Sequence, residues 1–196
     1  MFTGLVTDVG KIRKAEDRNG LRRFEVACGY PIESIEMGAS IMHAAVCLTV
    51  VDHGAREGGS WFAVEAVPET LSKTVLGDWR EGSRVNLEQS LTLGQELGGH
   101  FVFGHVDGVG EVVSVDAEGQ SWRLTIRPPA DIAKYFATKG SAAVNGVSLT
   151  VAKALDNGDF ELAIIPHTWD VTTLSDLKPG SRVNLEIDML ARYVAR

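Results

Sequence analysis

The heptapeptide Gly82-Ser83-Arg84-Val85-Asn86-Leu87-Glu88 recurs letter for letter, 98 positions later, as Gly180-Ser181-Arg182-Val183-Asn184-Leu185-Glu186. Further matches keep the same order in both halves: Gly4-Leu5-Val6 with Gly104-His105-Val106, Val9-Gly10 with Val109-Gly110, Val46-Cys47-Leu48-Thr49-Val50 with Val147-Ser148-Leu149-Thr150-Val151, Phe62 with Phe160, and Pro68-Glu69-Thr70 with Pro166-His167-Thr168. Two repeats of this length indicate two homologous domains, because solenoid repeats are far shorter. The sequence predicts domains at 1–97 and 98–187, followed by a terminal helix at 188–196.

Each repeat has the pattern of short β-strands. The predicted strands are runs rich in Val, Phe, Leu and Thr: Leu21–Cys28, Val46–Val51, Trp61–Val67 and Arg84–Leu87, then Trp122–Arg127, Val147–Val151, Phe160–Ile165 and Arg182–Ile187. Turn residues such as Arg18-Asn19-Gly20 and Asp156-Asn157-Gly158 separate them. Several short strands in so small a domain favour a closed barrel, which leaves no exposed sheet edge. Helices are expected over Asp131–Thr138 and from Met189 to Arg196.

Composition and charge exclude several classes of protein. Of the 196 residues, 44% are hydrophobic and 23% charged, which is typical of a globular chain. The net charge is −7, spread over both halves, which disfavours nucleic acid as a partner because phosphate neutralisation dominates its binding. No apolar run approaches the ~18 residues of a membrane span, and the N-terminus lacks the pattern of a signal peptide. Two cysteines cannot form a disulfide scaffold, so we expect free thiols and a cytoplasmic location.

The positions at which the repeats differ are the candidate sites for chemistry. Cys47 stands where the second repeat has Ser148, and Leu5 stands where it has His105. A possible nucleophile in one half and a possible base in the other suggest specialised roles. The residues alone leave the alternatives open. Cys47 also fits an inert core cysteine, and His105 fits a structural histidine.

No metal or nucleotide motif emerges from the spacing. His100, His105 and Asp107 do not match a strong metal-ligand pattern. The glycines from Gly104 to Gly110 form neither a dinucleotide fingerprint nor a P-loop. These residues on their own predict only a duplicated barrel that binds a planar ligand.

A family resemblance adds to this interpretation. The opening Met1-Phe2-Thr3-Gly4-Leu5-Val6 is similar to the MFTGIV start of riboflavin synthases of the α-subunit type. Four further segments resemble motifs of that family over essentially the whole chain: Val46-Cys47-Leu48-Thr49-Val50, Gly98-Gly99-His100-Phe101-Val102, Asn145-Gly146-Val147-Ser148-Leu149-Thr150-Val151 and Ile165-Pro166-His167-Thr168.

The resemblance implies a fold, a reaction and an assembly. The fold would be all-β, with two homologous six-stranded Greek-key barrels, short helices and a C-terminal helix. The reaction would be the dismutation of two molecules of 6,7-dimethyl-8-ribityllumazine into riboflavin and 5-amino-6-ribitylamino-pyrimidinedione, without metal or organic cofactor. Three chains would form a homotrimer, with the active site between the N-terminal barrel of one subunit and the C-terminal barrel of its neighbour. Binding of a lumazine synthase partner stays open, and neither nucleic acid nor membrane is implied.

The resemblance also assigns site residues by position. The catalytic set would be Phe2, Ser40, Cys47 and His105. The N-terminal pocket would comprise Gly4, Leu5, Val6, Cys47, Leu48, Thr49, Glu65, Ala66, Val67, Pro68, Glu69 and Thr70. The C-terminal pocket would comprise Gly104, His105, Val106, Lys139, Ser148, Leu149, Thr150, Ala163, Ile164, Ile165, Pro166, His167 and Thr168. His105 would carry a proton, and Cys47, Ser40 or a water molecule would add to the acceptor lumazine.

Two points bear on activity. Ala44-Ala45 stands where the second repeat has Asn145-Gly146, which matters if the backbone has positive φ there. Phe103 and Trp169 also depart from the residues usual in the family.

The alternative function is that of a non-catalytic lumazine or flavin carrier related to the family, and retention of Phe2, Ser40, Cys47 and His105 favours the enzyme. A generic oligonucleotide-binding barrel is disfavoured by the negative charge.

Overall fold

A computed structural model describes residues 1–196 and contains two closed β-barrels. The first barrel has six strands: β1 Asp8–Arg18, β2 Leu21–Cys28, β3 Ser40–His43, β4 Val46–Arg56, β5 Gly59–Ala66 and β6 Arg84–Gln89. Their order around the barrel is β1-β2-β5-β4-β3-β6, and every neighbouring pair is antiparallel. This is a Greek key, because β3, β4 and β5 are successive neighbours but β5, and not β3, lies beside β2.

The second barrel repeats this topology. Its strands are β7 Gly108–Glu118, β8 Ser121–Arg127, β9 Ser141–Val144, β10 Val147–Ala154, β11 Phe160–Ile164 and β12 Arg182–Ile187. Their order, β7-β8-β11-β10-β9-β12, is that of the first barrel. The prediction of an all-β duplication is therefore confirmed. The expected domain division at 97/98 falls within the segment that connects β6 to β7.

The helices are few and short. α1 spans Pro68–Lys73, α2 spans Pro166–Val171 and α3 spans Met189–Val194. α1 and α2 begin at a proline, whose fixed φ suits the first helical position. Each of the three helices has six residues, and no helix in the structure is long and apolar enough to cross a membrane.

The helix expected over Asp131–Thr138 is wrong. Only Ala133–Tyr135 form a single 3-10 turn, and Lys139 follows with a φ of 69°. The apolar positions were nevertheless informative, because Ile132 and Phe136 are buried in the second core. These two residues flank the single turn, so their burial does not require a longer helix.

The repeated heptapeptide forms strands that are buried on both faces. In β6, Val85 and Leu87 belong to the core of the first barrel. Asn86 and Glu88 point to the opposite face and are buried as well, at 1% and 4% exposure. β12 has the same pattern in its Val-Asn-Leu-Glu run. The polar residues of both strands must therefore find partners outside their own barrel core.

The two asparagines find those partners in the other barrel. The amide nitrogen of Asn86 donates to the carbonyl of Asn145 at 2.9 Å, and its amide oxygen accepts from the N–H of Thr173 at 2.8 Å. Asn184 makes the reciprocal contacts with the carbonyl of Ala44, at 2.7 Å, and the N–H of Val75, at 2.8 Å. The barrels are thus joined by matched contacts, as two similar domains related by a local two-fold axis would be.

The tight turn between β3 and β4 is strained. Ala44 and Ala45 have φ values of 47° and 71°, whereas the equivalent turn of the second barrel uses Asn145 and Gly146, at 46° and 78°. Asparagine and glycine adopt this left-handed region at a lower cost than alanine, whose Cβ is crowded there. The side chain of Asn145 also accepts the N–H of Asn184 at 2.8 Å, a contact that Ala44 cannot offer to Asn86.

Replacement of Ala44 by Asn should stabilise the chain by about 1 kcal/mol, because it relieves strain and supplies an acceptor for the N–H of Asn86. The matched variant Asn145→Ala should destabilise it by a comparable amount. Urea unfolding of both variants measures the difference. A destabilised Ala44→Asn variant would show that the two turns are not equivalent.

A second prediction concerns His43, which is fully buried against Phe62. Its Nδ1–H donates to the carbonyl of Ile41, Nε2 has no partner, and burial lowers its pKa to about 4. The unfolded chain takes up this proton near pH 6.5 and the folded chain only near pH 4, so stability falls as the pH drops through that window. Wild type should lose roughly 1–2 kcal/mol more than His43→Phe between pH 7 and pH 5. Equal losses in denaturant titrations at the two pH values would contradict this.

Candidate active site

The segments that precede the two barrels cross to the opposite barrel. Phe2 and Val102 pair as an antiparallel bridge, with N–H to carbonyl distances of 2.7 and 3.1 Å. Beyond this bridge, the carbonyl of Gly4 accepts the N–H of Ser148 at 2.8 Å. The carbonyl of Gly104 accepts the N–H of Cys47 at 2.9 Å. Each barrel is therefore contacted, near the start of its fourth strand, by a segment that belongs in sequence to the other repeat.

The crossing defines two half-sites. Half-site 1 comprises residues 47–49 of β4, residues 65–70 at the end of β5, and the crossing segment 104–106. Half-site 2 comprises residues 148–150 of β10, residues 163–168 at the end of β11, and the crossing segment 4–6. The pairing of Val50 with Val64, and of Val151 with Leu162, brings the strand pieces together. Val106 packs on the core of the first barrel and Val6 on that of the second.

This arrangement corrects one expectation from the sequence. Gly4, Leu5 and Val6 were expected beside Cys47, and Gly104, His105 and Val106 beside Ser148. The expected pairing is wrong in both halves, because proximity along the chain does not reveal that the segments cross. As a result, the crossing places the segments of Cys47 and His105 in the same half-site, not in opposite ones. Half-site 2 has Ser148 and Leu5 at the corresponding positions.

Two buried glutamates hold the crossing segments. Glu186 accepts the backbone N–H groups of Phe103, Gly104 and His105 at 2.7, 2.9 and 3.0 Å. Glu88 accepts the N–H and the hydroxyl of Thr3, both at 2.7 Å. Burial raises the pKa of Glu186 to about 7, although the three amide donors favour the charged form, and burial also raises the pKa of Glu88.

The sequence interpretation missed these glutamates. The signal was present in the heptapeptide, where an identical acidic residue stands within an apolar strand pattern in both repeats. A carboxylate repeated at a buried position needs a fixed set of donors, and the ends of the crossing segments supply them.

The other expected site residues lie at different depths. His105, Thr49 and Thr150 are exposed, and Cys47 and Ser148 are half-buried. His105 stacks beside Phe103 with ring centroids 6.0 Å apart. Ser40 lies at the start of β3, opposite Thr49. Glu65 is half-buried and 3.8 Å from the guanidinium of Arg23.

Phe2 and Lys139 lie in contrasting surroundings, one buried and one exposed. Phe2 is fully buried with Met42, Val102 and Ala143, and Cys47 packs against this small cluster. Lys139 is exposed in the turn before β9, where its N–H donates to the carbonyl of Val151. Phe2 therefore packs beneath Cys47 and next to Val102 of the other crossing segment.

His100 is a further residue that the site assignment omitted. Its Nδ1 lies 2.7 Å from the hydroxyl of Ser148 in half-site 2, and its Nε2 is buried without a partner. Burial lowers its pKa, which favours the neutral ring.

A cleft of about 1230 Å³ lies elsewhere on the first barrel. Asp8, Arg13, Cys28 and Arg56 are among the residues that line it, and it includes no residue of either half-site. His105 and Thr49 of half-site 1, and Leu5 and Thr150 of half-site 2, are exposed in the single chain.

Comparison with known proteins identifies the class. A family model described as "Lumazine binding domain" matches residues 3–90 and again residues 103–188. These two ranges contain both barrels and most of each crossing segment. The chain belongs to this family of lumazine-binding domains.

The full-length relatives define the particular group. Riboflavin synthase of Brucella abortus is 46% identical and aligns with 100% of this chain and 97% of the relative. Riboflavin synthases of Photobacterium phosphoreum and Bacillus subtilis are 39% and 34% identical, again over 100% of the chain and over 88% and 89% of those relatives. Within the family, the chain groups with the riboflavin synthases and is an enzyme.

Solved structures agree with the fold. LumP complexed with riboflavin superposes with a TM-score of 0.82 at 25% identity, over 95% of this chain and 99% of that structure. LumP complexed with 6,7-dimethyl-8-(1'-D-ribityl) lumazine gives a TM-score of 0.79 at 24% identity over the same shares. The two-barrel arrangement is common to both proteins.

Replacement of Gly104 by Ala tests the crossing contact. Gly104 has a φ of 75°, and a Cβ there would lie 2.6 Å from both the N and the Cβ of Cys47. Gly119 is the control, because its φ is 63° and a Cβ there would meet open space. Gly119→Ala should cost about 1–2 kcal/mol of backbone strain, and Gly104→Ala should cost a further 1–3 kcal/mol for crowding. Equal losses in urea unfolding would mean that the crossing segment yields freely.

Proposed function

We propose that this chain is a transferase that converts two molecules of 6,7-dimethyl-8-ribityllumazine into riboflavin and 5-amino-6-ribitylamino-pyrimidinedione in the cytoplasm. The observation that carries the proposal is the pair of half-sites, which share one architecture and differ in their reactive residues. Two copies of one substrate suit two similar surfaces. A donor and an acceptor of a four-carbon unit need different chemistry, which the differences at Cys47/Ser148 and His105/Leu5 supply.

Proximity would provide much of the rate. Holding two planar rings in a fixed mutual orientation converts an encounter between two molecules into a step within one complex. This needs no cofactor, because the lumazine ring itself accepts and releases the electron pairs. The names of the full-length relatives and the lumazine complex of LumP support this substrate.

His105 is proposed as the proton carrier. The reaction requires removal of a proton from the C7 methyl group of one lumazine, and an imidazole is suited to that task near neutral pH. The side chain is exposed, while its backbone is fixed by Glu186. An exposed imidazole can reach a bound ligand. Because its backbone is already fixed, it loses less conformational entropy when it does so.

The group that adds at C7 of the acceptor is proposed to be Cys47, Ser40 or a water molecule held between them. Cys47 and Ser40 lie on neighbouring strands, with Met42 paired to Cys47 and Ser40 paired to Thr49. Glu65, in the same half-site, could accept hydrogen bonds from ribityl hydroxyls. Thr49 and Thr150 could donate to the ring carbonyls of the two ligands.

We further propose a homotrimer in which half-site 1 of one subunit faces half-site 2 of its neighbour. The exposure of Thr49 and His105 in half-site 1, and of Thr150 in half-site 2, supports a shared site. The C-terminal helix supports an assembly contact, because Leu190, Tyr193 and Val194 are exposed at 66%, 71% and 87%.

Sedimentation of the full chain should give three times the monomer mass. Full activity in a strictly monomeric chain would exclude a shared site.

Incubation of the chain with 6,7-dimethyl-8-ribityllumazine tests the activity directly. Riboflavin absorbance should appear, with two lumazines consumed for each riboflavin formed. Binding of lumazine without any riboflavin would assign the chain instead to the non-catalytic carriers.

Replacement of Cys47 by Ser should lower turnover at least ~10-fold, about 1.4 kcal/mol in the barrier, while leaving the fold intact. The control is Cys28→Ser, because Cys28 is the other free thiol and is buried away from both half-sites. That variant should turn over like wild type. If the two variants behave alike, Cys47 is an ordinary core cysteine.

Replacement of His105 by Gln should lower turnover by ~100- to 10,000-fold, the range of general acid–base catalysis. Glutamine keeps the size and hydrogen bonding of the side chain and loses the titration. Lumazine affinity should change by less than ~10-fold, because many backbone and hydroxyl contacts hold a planar ligand. Normal turnover with weak binding would make His105 a binding group and move the search for the base to His100 or His167.

A further inference from the structure

The backbone on either side of His105 is held by different means. On its N-terminal side, Glu186 fixes the amides of residues 103–105. On its C-terminal side, the N–H of Asp107 donates to the carbonyl of Leu185 at 2.8 Å, and the carboxylate of Asp107 accepts the N–H of Ile187 at 2.9 Å. Asp107 therefore sets where the chain goes as it leaves the His105 segment.

The carboxylate of Asp107 has one cationic partner of fixed charge. Nη2 of Arg192 lies 2.8 Å from Oδ1 and 2.9 Å from Oδ2 of Asp107. The side chain of Asp107 is only 12% exposed. Burial raises the pKa of Asp107, and Arg192 opposes this. Removal of Arg192 would leave a mostly buried carboxylate without its counter-charge, which is more costly than loss of a surface pair.

Arg192 belongs to α3 and is the residue of that helix whose side chain bonds to Asp107. The helix has six residues, none of them buried, and its N-cap is the side chain of Asp188. A helix of this length is not stable by itself, so its position depends on tertiary contacts. Arg192 is the contact of α3 that reaches the His105 segment.

The first repeat has no equivalent of the ion pair between Asp107 and Arg192. Thr7 stands at the position of Asp107 and bonds to the hydroxyl of Tyr30 at 2.6 Å. The chain that follows β6 is a loop and not a helix. The counterpart of His105 on the crossing segment is Leu5, which is exposed and cannot titrate. The ion pair is thus confined to the crossing segment that carries the proposed base.

We infer that Arg192 is a positioning residue, whose ion pair with Asp107 ties the C-terminal helix to the His105 segment and keeps the imidazole aligned for proton transfer. This inference rests on the proposed role of His105. It makes α3 a part of the catalytic machinery in addition to any role in assembly. A displacement of about 1 Å at a reacting group is enough to cost on the order of 100-fold in rate.

The test compares Arg192→Ala with Arg127→Ala by steady-state kinetics with 6,7-dimethyl-8-ribityllumazine. Arg127 is a matched control, because it also pairs with a buried aspartate, Asp159, in the same barrel and belongs to neither half-site. Arg192→Ala should lower kcat ~10-fold or more with KM changed by less than ~3-fold, and Arg127→Ala should leave both unchanged. Arg192→Lys should recover most of the activity, because a single nitrogen makes both contacts.

Two further variants isolate the route of the effect. Asp107→Asn keeps an acceptor for Ile187 and loses the ion pair, so it should reproduce the effect of Arg192→Ala. In a His105→Gln background, Arg192→Ala should lower kcat by less than ~2-fold more, because residues that act through one another are not additive.

The outcomes separate this inference from the proposed function. If wild type forms no riboflavin, or His105→Gln is fully active, the proposed function or the role of His105 has failed. If both hold and Arg192→Ala matches Arg127→Ala, the inference alone is overturned. It is likewise overturned if the loss vanishes at higher protein concentration, which would indicate assembly, or if KM rises while kcat stays constant.

Discussion

The reciprocal bonds of Asn86 and Asn184 are the constraint on which the rest of the structure depends. Each buried amide side chain satisfies two backbone groups of the other barrel, and a buried amide left without these partners would be costly. The barrels therefore have one mutual orientation with all groups satisfied. That orientation brings the start of each repeat against the first residues of the fourth strand of the other barrel. The half-sites exist only because of it.

Polar residues on a strand face usually meet water, and here they meet protein. The two polar residues of each Val-Asn-Leu-Glu strand have different roles. The asparagines join the barrels, and the glutamates hold the crossing segments. Two opposing effects act on Glu186. Burial raises its pKa to about 7, whereas the three amide donors favour the charged carboxylate. The segment with His105 is thereby fixed by a carboxylate that is itself near its titration point.

The duplication gives the chain two similar surfaces, and a few differences make them unequal. Half-site 1 combines a thiol and an imidazole on segments joined by one hydrogen bond, from Cys47 to Gly104. Half-site 2 has a hydroxyl and an aliphatic side chain at the equivalent places, and His100 bonds that hydroxyl. Equivalent strands thus keep the architecture, and the residues proposed for the chemistry lie where the two repeats differ. A reaction between two copies of one molecule needs both properties.

The sequence by itself determined the duplication, the all-β class and eight of the twelve strands, because these follow from local patterns and from the match between repeats. It also indicated Cys47 and His105, since they differ between otherwise similar segments. It missed β1, β3, β7 and β9, and it predicted a helix where one turn suffices. Only the tertiary structure decided that segments 4–6 and 104–106 contact the opposite barrels, which places Cys47 and His105 in one half-site. It also decided that Glu88 and Glu186 hold the two crossing segments. The physical reason is that crossing, burial and ion pairing depend on how the barrels pack, and packing joins residues about 100 positions apart that no local pattern relates.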